Sequence, residues 1–192
     1  GDLNNDGVLD LVTANISSNT ITLLHGKGDG AFSIREEYFV GPSPHLVRIN
    51  DLNNDGINDL VIPIFGRNFT TILFGDEDGS FVNRTILFSG DTPSDVAIDD
   101  IDMDGNKDLV VSHFDVNYIT VFIGNGNGSF VKKENIDVHG GQHSLLIKDI
   151  NFDGQLAIAG SLFYADKIFS LFGSGTGSFY TLNTCNVGKL HS

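Results

Sequence analysis

An internal period constrains this chain more than any other feature. Four stretches begin at intervals of 49 residues: DLNNDGVLDLV from Asp2, DLNNDGINDLV from Asp51, DIDMDGNKDLV from Asp100 and DINFDGQLAIA from Asp149. A second, unrelated landmark keeps the same step. It reads HGKGDGAF, FGDEDGSF, IGNGNGSF and FGSGTGSF, with first glycines Gly26, Gly75, Gly124 and Gly173 and closing aromatics Phe32, Phe81, Phe130 and Phe179. Two landmarks in one register through four copies define a tandem array, and such units fold by stacking on their neighbours. The repeats run 2–50, 51–99, 100–148 and 149–192, the last incomplete.

Each unit reads as strands. After the acidic loop come DLVTAN, DLVIPIF and DLVVSHF; TITLLHG, TTILFG, ITVFIG and KIFSLFG lead into the glycine cluster. A third run follows the phenylalanine, and a fourth (HLVRIND, DVAIDD, SLLIKD) enters the next acidic loop. These runs are short, β-branched and aromatic, and show no helical period. The Gly-x-Gly-x-Gly links suit tight hairpins that need positive φ. Four antiparallel strands in 49 residues make one β-propeller blade in size. The expected fold is therefore all-β, with four tandem, four-stranded antiparallel blades. A blade has two apolar faces to cover, so the repeated phenylalanine is expected to fill the space between adjacent blades. The chain begins inside an acidic loop, leaving the first blade without a strand equivalent to HLVRIN, and GKLHS at the other end does not supply it. An open segment of a larger propeller, processed or excised from a longer chain, is expected.

Composition narrows the partners. A formal net charge of −14 argues against nucleic acid, whose phosphates need cations, and against an anionic membrane surface. No apolar run reaches the roughly 18 residues of a spanning helix, so membrane insertion is not expected. Cys185 is the single cysteine, which excludes an internal disulfide. With 40% hydrophobic residues and 15 Phe, the chain can build a packed core.

The acidic loops carry the chemistry. Counting from the first Asp, side-chain oxygens fall at positions 1, 3, 5 and 9 around a glycine at position 6. They are Asp2, Asn4, Asp6 and Asp10 in the first loop; Asp51, Asn53, Asp55 and Asp59 in the second; and Asp100, Asp102, Asp104 and Asp108 in the third. Alternate side chains on a curling loop converge, and the position-7 carbonyls of Val8, Ile57 and Asn106 can turn inward with them. Several hard oxygens about one point suit Ca²⁺, which takes six to eight such ligands; Mg²⁺ prefers more water, and zinc prefers His or Cys. Two carboxylates about 4 Å apart repel by about 4 kcal/mol at an effective dielectric near 20, so three converging ones favour a cation. A solvated Asp/Asn turn is the competing reading, and three complete copies in register weigh against it. An EF-hand does not fit: strands flank these loops, and position 12 is Thr13 or Ile62 rather than Glu. The fourth loop keeps Asp149, Asn151, Asp153 and the carbonyl of Gln155, but position 9 is Ala157, so its site is expected to be weak or lost. About three Ca²⁺ per chain are expected.

The acidic pattern followed by the glycine turn resembles the FG-GAP (integrin α-type) and related VCBS repeats, over essentially all 192 residues. Phe74-Gly75 and Phe172-Gly173 keep the FG pair; His25-Gly26 and Ile123-Gly124 depart from it, and the GAP element is absent. The resemblance implies that each acidic loop joins the first two strands of a blade and binds Ca²⁺. It also implies an extracellular or cell-surface module for recognition or adhesion, binding a protein through inter-blade loops. A carbohydrate-binding propeller is an alternative, although Trp is absent. So is a non-catalytic propeller attached to an enzyme. No catalytic constellation stands out, and the chain is not expected to be an enzyme. His139 and His143 in HGGQH read as a turn, and GKGDG joins strand to strand without the helix a phosphate loop needs. Sequons at Asn15, Asn68, Asn83 and Asn127 add little, because a chain rich in Asn, Ser and Thr produces them by chance. Millimolar extracellular calcium is the stronger argument for localisation outside the cell.

Overall fold

A computed structural model describes residues 1–188, apart from the side chains at positions 34 and 35. Every regular element in it is a β-strand. The first sheet joins β1 (Leu11–Asn15), β2 (Thr20–Gly26) and β3 (Phe32–Phe39). The second joins β4 (Arg48–Asn50), β5 (Asp59–Pro63), β6 (Thr70–Phe74) and β7 (Asn83–Leu87). The third joins β8 (Pro93–Asp99), β9 (Asp108–His113), β10 (Tyr118–Gly124) and β11 (Phe130–Asp137); the fourth joins β12 (Gln142–Lys148), β13 (Ala157–Leu162), β14 (Lys167–Gly173) and β15 (Phe179–Asn186). All pairings are antiparallel between neighbours in sequence. These are propeller blades arranged as an open series; they do not close into a ring. Each four-stranded sheet begins with the strand that precedes the acidic loop, so the structural unit starts a few residues before the repeat unit. The C-terminal GKLHS lies almost wholly outside the described residues.

Burial follows from the stacking. Strands β5 and β9 are buried at every position, because sheets cover both of their faces. Strand β2 alternates between buried and half-buried residues, as expected when one face is covered and the other is not. Three apolar clusters form the core, one per sheet junction. Ile21 and Leu23 of the first sheet, with Leu3 and Val40 from the segments flanking it, meet Leu60, Ile62 and Leu73 of the second and Phe81 just before β7. Leu52, Val61 and Ile72 meet Val96, Leu109, Val111 and Phe122 at the next junction. Val110, Ile119, Val121 and Val138 meet Leu145, Ile158, Phe169 and Leu171 at the last. Each fully buried Leu or Ile contributes roughly 1.5–3 kcal/mol of transfer free energy, so these junctions dominate stability.

The repeated phenylalanine behaves as expected in three copies and not in the first. Phe81 is buried and packs edge-on against Tyr38 of the preceding sheet, with ring centroids 5.8 Å apart. Phe130 and Phe179 likewise pack into the junctions with the sheets before them. Phe32, expected to fill an inter-blade space, is instead 41% exposed. The position faces the preceding sheet, and the first sheet has none among the described residues.

One polar contact spans three sheets. The Arg48 guanidinium of β4 donates to both carboxylate oxygens of Asp95 in β8, at 2.7 and 2.9 Å. The second of these oxygens also accepts the amide of Leu145 in β12, at 3.0 Å. Asp95 is buried, and its carboxylate ties the first strands of three consecutive sheets together. Because strand direction alternates, the acidic loops and glycine turns share one end of the sheets. The β5–β6, β9–β10 and β13–β14 turns share the other end with the sheet-to-sheet connections.

Candidate metal sites

The four acidic loops have one backbone design. Position 4 is left-handed (Asn5, Asn54, Met103 and Phe152, φ from 55° to 65°), and so is the glycine at position 6 (φ from 81° to 89°). Asn takes this conformation cheaply, whereas Met103 and Phe152 adopt it at a cost of about 1 kcal/mol or more. What holds the curl is the side-chain oxygens themselves. The position-1 carboxylate accepts the glycine amide at 2.9 Å in the first three loops and 3.0 Å in the fourth. The position-5 carboxylate accepts the position-7 amide at 2.8 Å in all four, from Val8, Ile57, Asn106 and Gln155. The position-3 side-chain oxygens of Asn4, Asn53, Asp102 and Asn151 accept the position-5 amides of Asp6, Asp55, Asp104 and Asp153 at 3.1, 3.1, 3.3 and 3.4 Å. Backbone donors thus offset part of the repulsion that the sequence implied, and the loop holds its shape by these bonds.

Position 9 is built differently. Asp10, Asp59 and Asp108 are buried, and each carboxylate brackets two backbone segments. One oxygen accepts the amide of position 2 (Leu3 at 2.9 Å, Leu52 at 2.8 Å, Ile101 at 2.9 Å). The other accepts the amide of the first glycine in the next turn (Gly26 at 2.9 Å, Gly75 at 2.9 Å, Gly124 at 2.8 Å). This contact explains the glycine. A Cβ on Gly26, Gly75, Gly124 or Gly173 would lie 2.3, 2.5, 2.1 or 2.2 Å from the position-8 carbonyl oxygen. Only a residue without a side chain lets the turn approach the loop this closely. In the fourth loop Ala157 has no oxygen for either amide, although Asp149, Asn151 and Asp153 keep the curl.

Electrostatics mark the same residues. Burial pushes the Asp59 and Asp108 carboxyls up to about 6; the two backbone hydrogen bonds oppose this, and neighbouring loop carboxylates add to it. In the third loop Asp100, Asp102 and Asp108 each place a carboxylate oxygen within 4.8 Å of the others. Three hard oxygens so close, one on a buried acid held above its ordinary range, fit a divalent cation. The loops are also stitched together. Asn58 donates to the carbonyl of Asp2 at 2.8 Å, and Asn54 donates to the Asn106 side chain at 2.8 Å.

Two groups beside the loops escaped the sequence reading. His25 stands where the second and fourth copies have Phe; its Nδ1 lies 3.0 Å from the Asn4 amide nitrogen and 3.4 Å from the Asp10 carboxylate. The signal was the His-Gly departure from Phe-Gly. The second is a cleft of about 680 Å³, lined by Asn53, Asp55, Asp76, Arg84 and Thr85 of the second sheet's unit and by Asn127 from the third. It joins loop side chains to an outer strand, and no local sequence pattern announces it.

Comparisons with known proteins agree with this architecture. The profile of the FG-GAP-like repeat family matches residues 2–62, 51–111 and 100–159. No curated protein sequence matches the chain. Among solved structures, an Agrocybe aegerita lectin described for specific recognition of non-reducing terminal N-acetylglucosamine aligns with a TM-score of 0.66. It is 20% identical, over 95% of this chain and 50% of the lectin. BBS1N, solved in complex with ARL6DN, aligns at 0.68 with 14% identity, over 97% of this chain and 55% of its own. A Bacteroides uniformis protein described as a candidate 6-phosphogluconolactonase aligns at 0.70 with 13% identity, over 95% and 56%. At these identities the likeness is one of fold. The chain spans about half the length of the solved structures it matches.

Proposed function

Since this chain belongs to the FG-GAP-like repeat family, we propose that it is a calcium-binding, non-catalytic propeller module that recognises a partner outside the cell or at its surface. The observation that carries the reading is the third loop, where Asp100, Asp102 and Asp108 bring carboxylate oxygens within 4.8 Å of one another. Asp2, Asn4, Asp6 and Asp10, and Asp51, Asn53, Asp55 and Asp59, supply oxygens at the same four positions in the first two loops, with an amide in place of the Asp102 carboxylate. Bound Ca²⁺ would supply positive charge that neutralises these acids. The residues themselves orient the donors: backbone amides fix positions 1, 3 and 5, and the glycine turn fixes position 9. Calcium would therefore set the loop end of the sheets, where a partner binds through inter-blade loops. The remaining blades of a larger propeller are a further partner, as the half-length match to solved propellers suggests.

The test is calorimetric titration of the chelator-treated chain with Ca²⁺. About three ions should bind, and the melting temperature should rise with free calcium. No uptake, or a melting curve indifferent to chelator, overturns the reading.

A second reading has a specific observation behind it. The polar cleft beside the second loop combines carboxylate, amide, hydroxyl and guanidinium groups, a donor and acceptor mix suited to a saccharide. The lectin of like fold adds weight. A glycan array separates this from protein recognition: signal that Asp55→Ala and Thr85→Ala both abolish would place a sugar in the cleft.

A further inference from the structure

The end of the sheets opposite the acidic loops holds a cluster of rings that no repeat motif foretells. His45 stacks on Phe65 with centroids 5.4 Å apart and an interplanar angle of 29°. His143 stacks on Phe163 at 5.9 Å, also with 29° between the planes. Both residues of the second pair lie 98 positions beyond those of the first, so two sheets present one His-on-Phe arrangement. Phe114 of the intervening sheet sits among them, 5.6 Å from Phe65, 6.1 Å from His143 and 5.4 Å from Phe163. Where that sheet would carry a third histidine it has the small, buried Ser94, bonded to Ser112 at 2.9 Å and to the Gln142 carbonyl at 2.8 Å. The two imidazoles therefore meet across it, with centroids 5.8 Å apart.

Both histidines are exposed, and among the described residues neither ring makes a hydrogen bond or ion pair. His25, His113 and His139 differ in this respect, each being held by a polar partner. Stacking on Phe65 and Phe163 occupies one face of each imidazole, and the two imidazole planes stand at 78° to each other, so an ion in the plane of both rings lies on the line where the planes cross. We propose that His45 and His143 form a two-imidazole site for a nitrogen-preferring divalent ion of tetrahedral habit, Zn²⁺, separate from the acidic loops. Geometry supports it. A metal–nitrogen bond of about 2.1 Å plus a ring radius of about 1.1 Å puts each imidazole centroid about 3.2 Å from the ion. Two such ligands have centroids about 4.5 Å apart at a right angle, about 5.2 Å at a tetrahedral angle and about 6.4 Å in line. The observed 5.8 Å corresponds to an angle of about 130°, nearest an opened tetrahedron, the geometry of Zn²⁺. Phe65 and Phe163 fix the ring positions, so binding requires little reordering of the side chains. The rest of the coordination sphere is left to water or to a group on a partner. Oxygen-only loops and an imidazole pair select different ions, so the two ends of the sheets would respond to different metals.

The experiment is calorimetric titration with Zn²⁺ at about pH 7.5, in excess Ca²⁺ to occupy the acidic loops. The parent should bind one Zn²⁺, and His45→Gln and His143→Gln should each weaken it at least about tenfold. His139→Gln, off the cluster, should bind as the parent does. Both test side chains are exposed, so the metal-free melting temperatures and the Ca²⁺ titrations should match the parent. Failure of the parent to bind Zn²⁺, or parental affinity in either His45→Gln or His143→Gln, overturns the proposal.

Discussion

The close approach of glycine turn to acidic loop leads to a prediction with an internal control. In Gly124→Ala the new Cβ would stand 2.1 Å from the Lys107 carbonyl oxygen, where an ordinary contact needs more than 3 Å. The turn must retreat by about 1 Å, which costs about 1–3 kcal/mol for overpacking. The retreat also breaks the 2.8 Å bond from the Gly124 amide to the buried Asp108 carboxylate, a charge-assisted contact worth about 1.5–3 kcal/mol. Together these predict a loss of about 2.5–6 kcal/mol. Gly173→Ala meets the same obstacle, with its Cβ 2.2 Å from the Leu156 carbonyl oxygen, but Ala157 leaves no carboxylate bond to lose. It should cost only about 1–3 kcal/mol. Urea unfolding of both variants in chelator measures the difference, and amide hydrogen exchange assigns it to a sheet. Equal losses would show that the carboxylate–glycine bond contributes nothing. Losses below about 0.5 kcal/mol in both would show that the close approach is no constraint.

Calcium stoichiometry should follow position 9: Asp59→Ala removes one binding event and Ala157→Asp adds one, by calorimetry beside the parent. Because burial pushes the Asp59 and Asp108 carboxyls up to about 6, above the ordinary carboxylate value of 3.8, their protonation favours folding. That contribution is complete below pH 3.8 and disappears as pH rises through about 6; calcium binding near pH 6 should therefore release protons, read from the buffer dependence of the binding enthalpy. Phe81→Ala should cost about 3–5 kcal/mol in urea unfolding, whereas Phe32→Ala, at the equivalent but exposed position, should cost less than about 1 kcal/mol.

Much of this was legible in the sequence because the repeat supplies its own alignment. The step of 49 residues, the strand runs and positions 1, 3, 5 and 9 all lie within one unit, where spacing maps directly onto geometry. What escaped depends on neighbours. Phe32 and Phe81 are equivalent letters, but only one has a sheet in front of it. Gly75 looks like a turn residue, yet its backbone is not left-handed; the nearby Asn58 carbonyl is what excludes a side chain. Asp59 reads as one more ligand, although its oxygens also bond two amides, of Leu52 and Gly75, that no spacing rule within the acidic loop connects to it. His45 and His143 lie 98 residues apart, and nothing local in either copy says that Ser94 leaves room for them to meet.

Stacked repeats ordinarily unfold by fraying, since each unit feels only the two beside it. The Asp95 carboxylate alters that rule, because it accepts from Arg48 one sheet away in one direction and from Leu145 one sheet away in the other. Opening the fourth sheet strips Asp95 of an amide that helps disperse its buried charge, and the second sheet's arginine must then hold that charge alone. A disturbance at one sheet thus reaches another two places along, through a carboxylate that belongs to neither. The second, third and fourth sheets should open as one cooperative unit in hydrogen exchange, while the first, outside this bond, opens on its own.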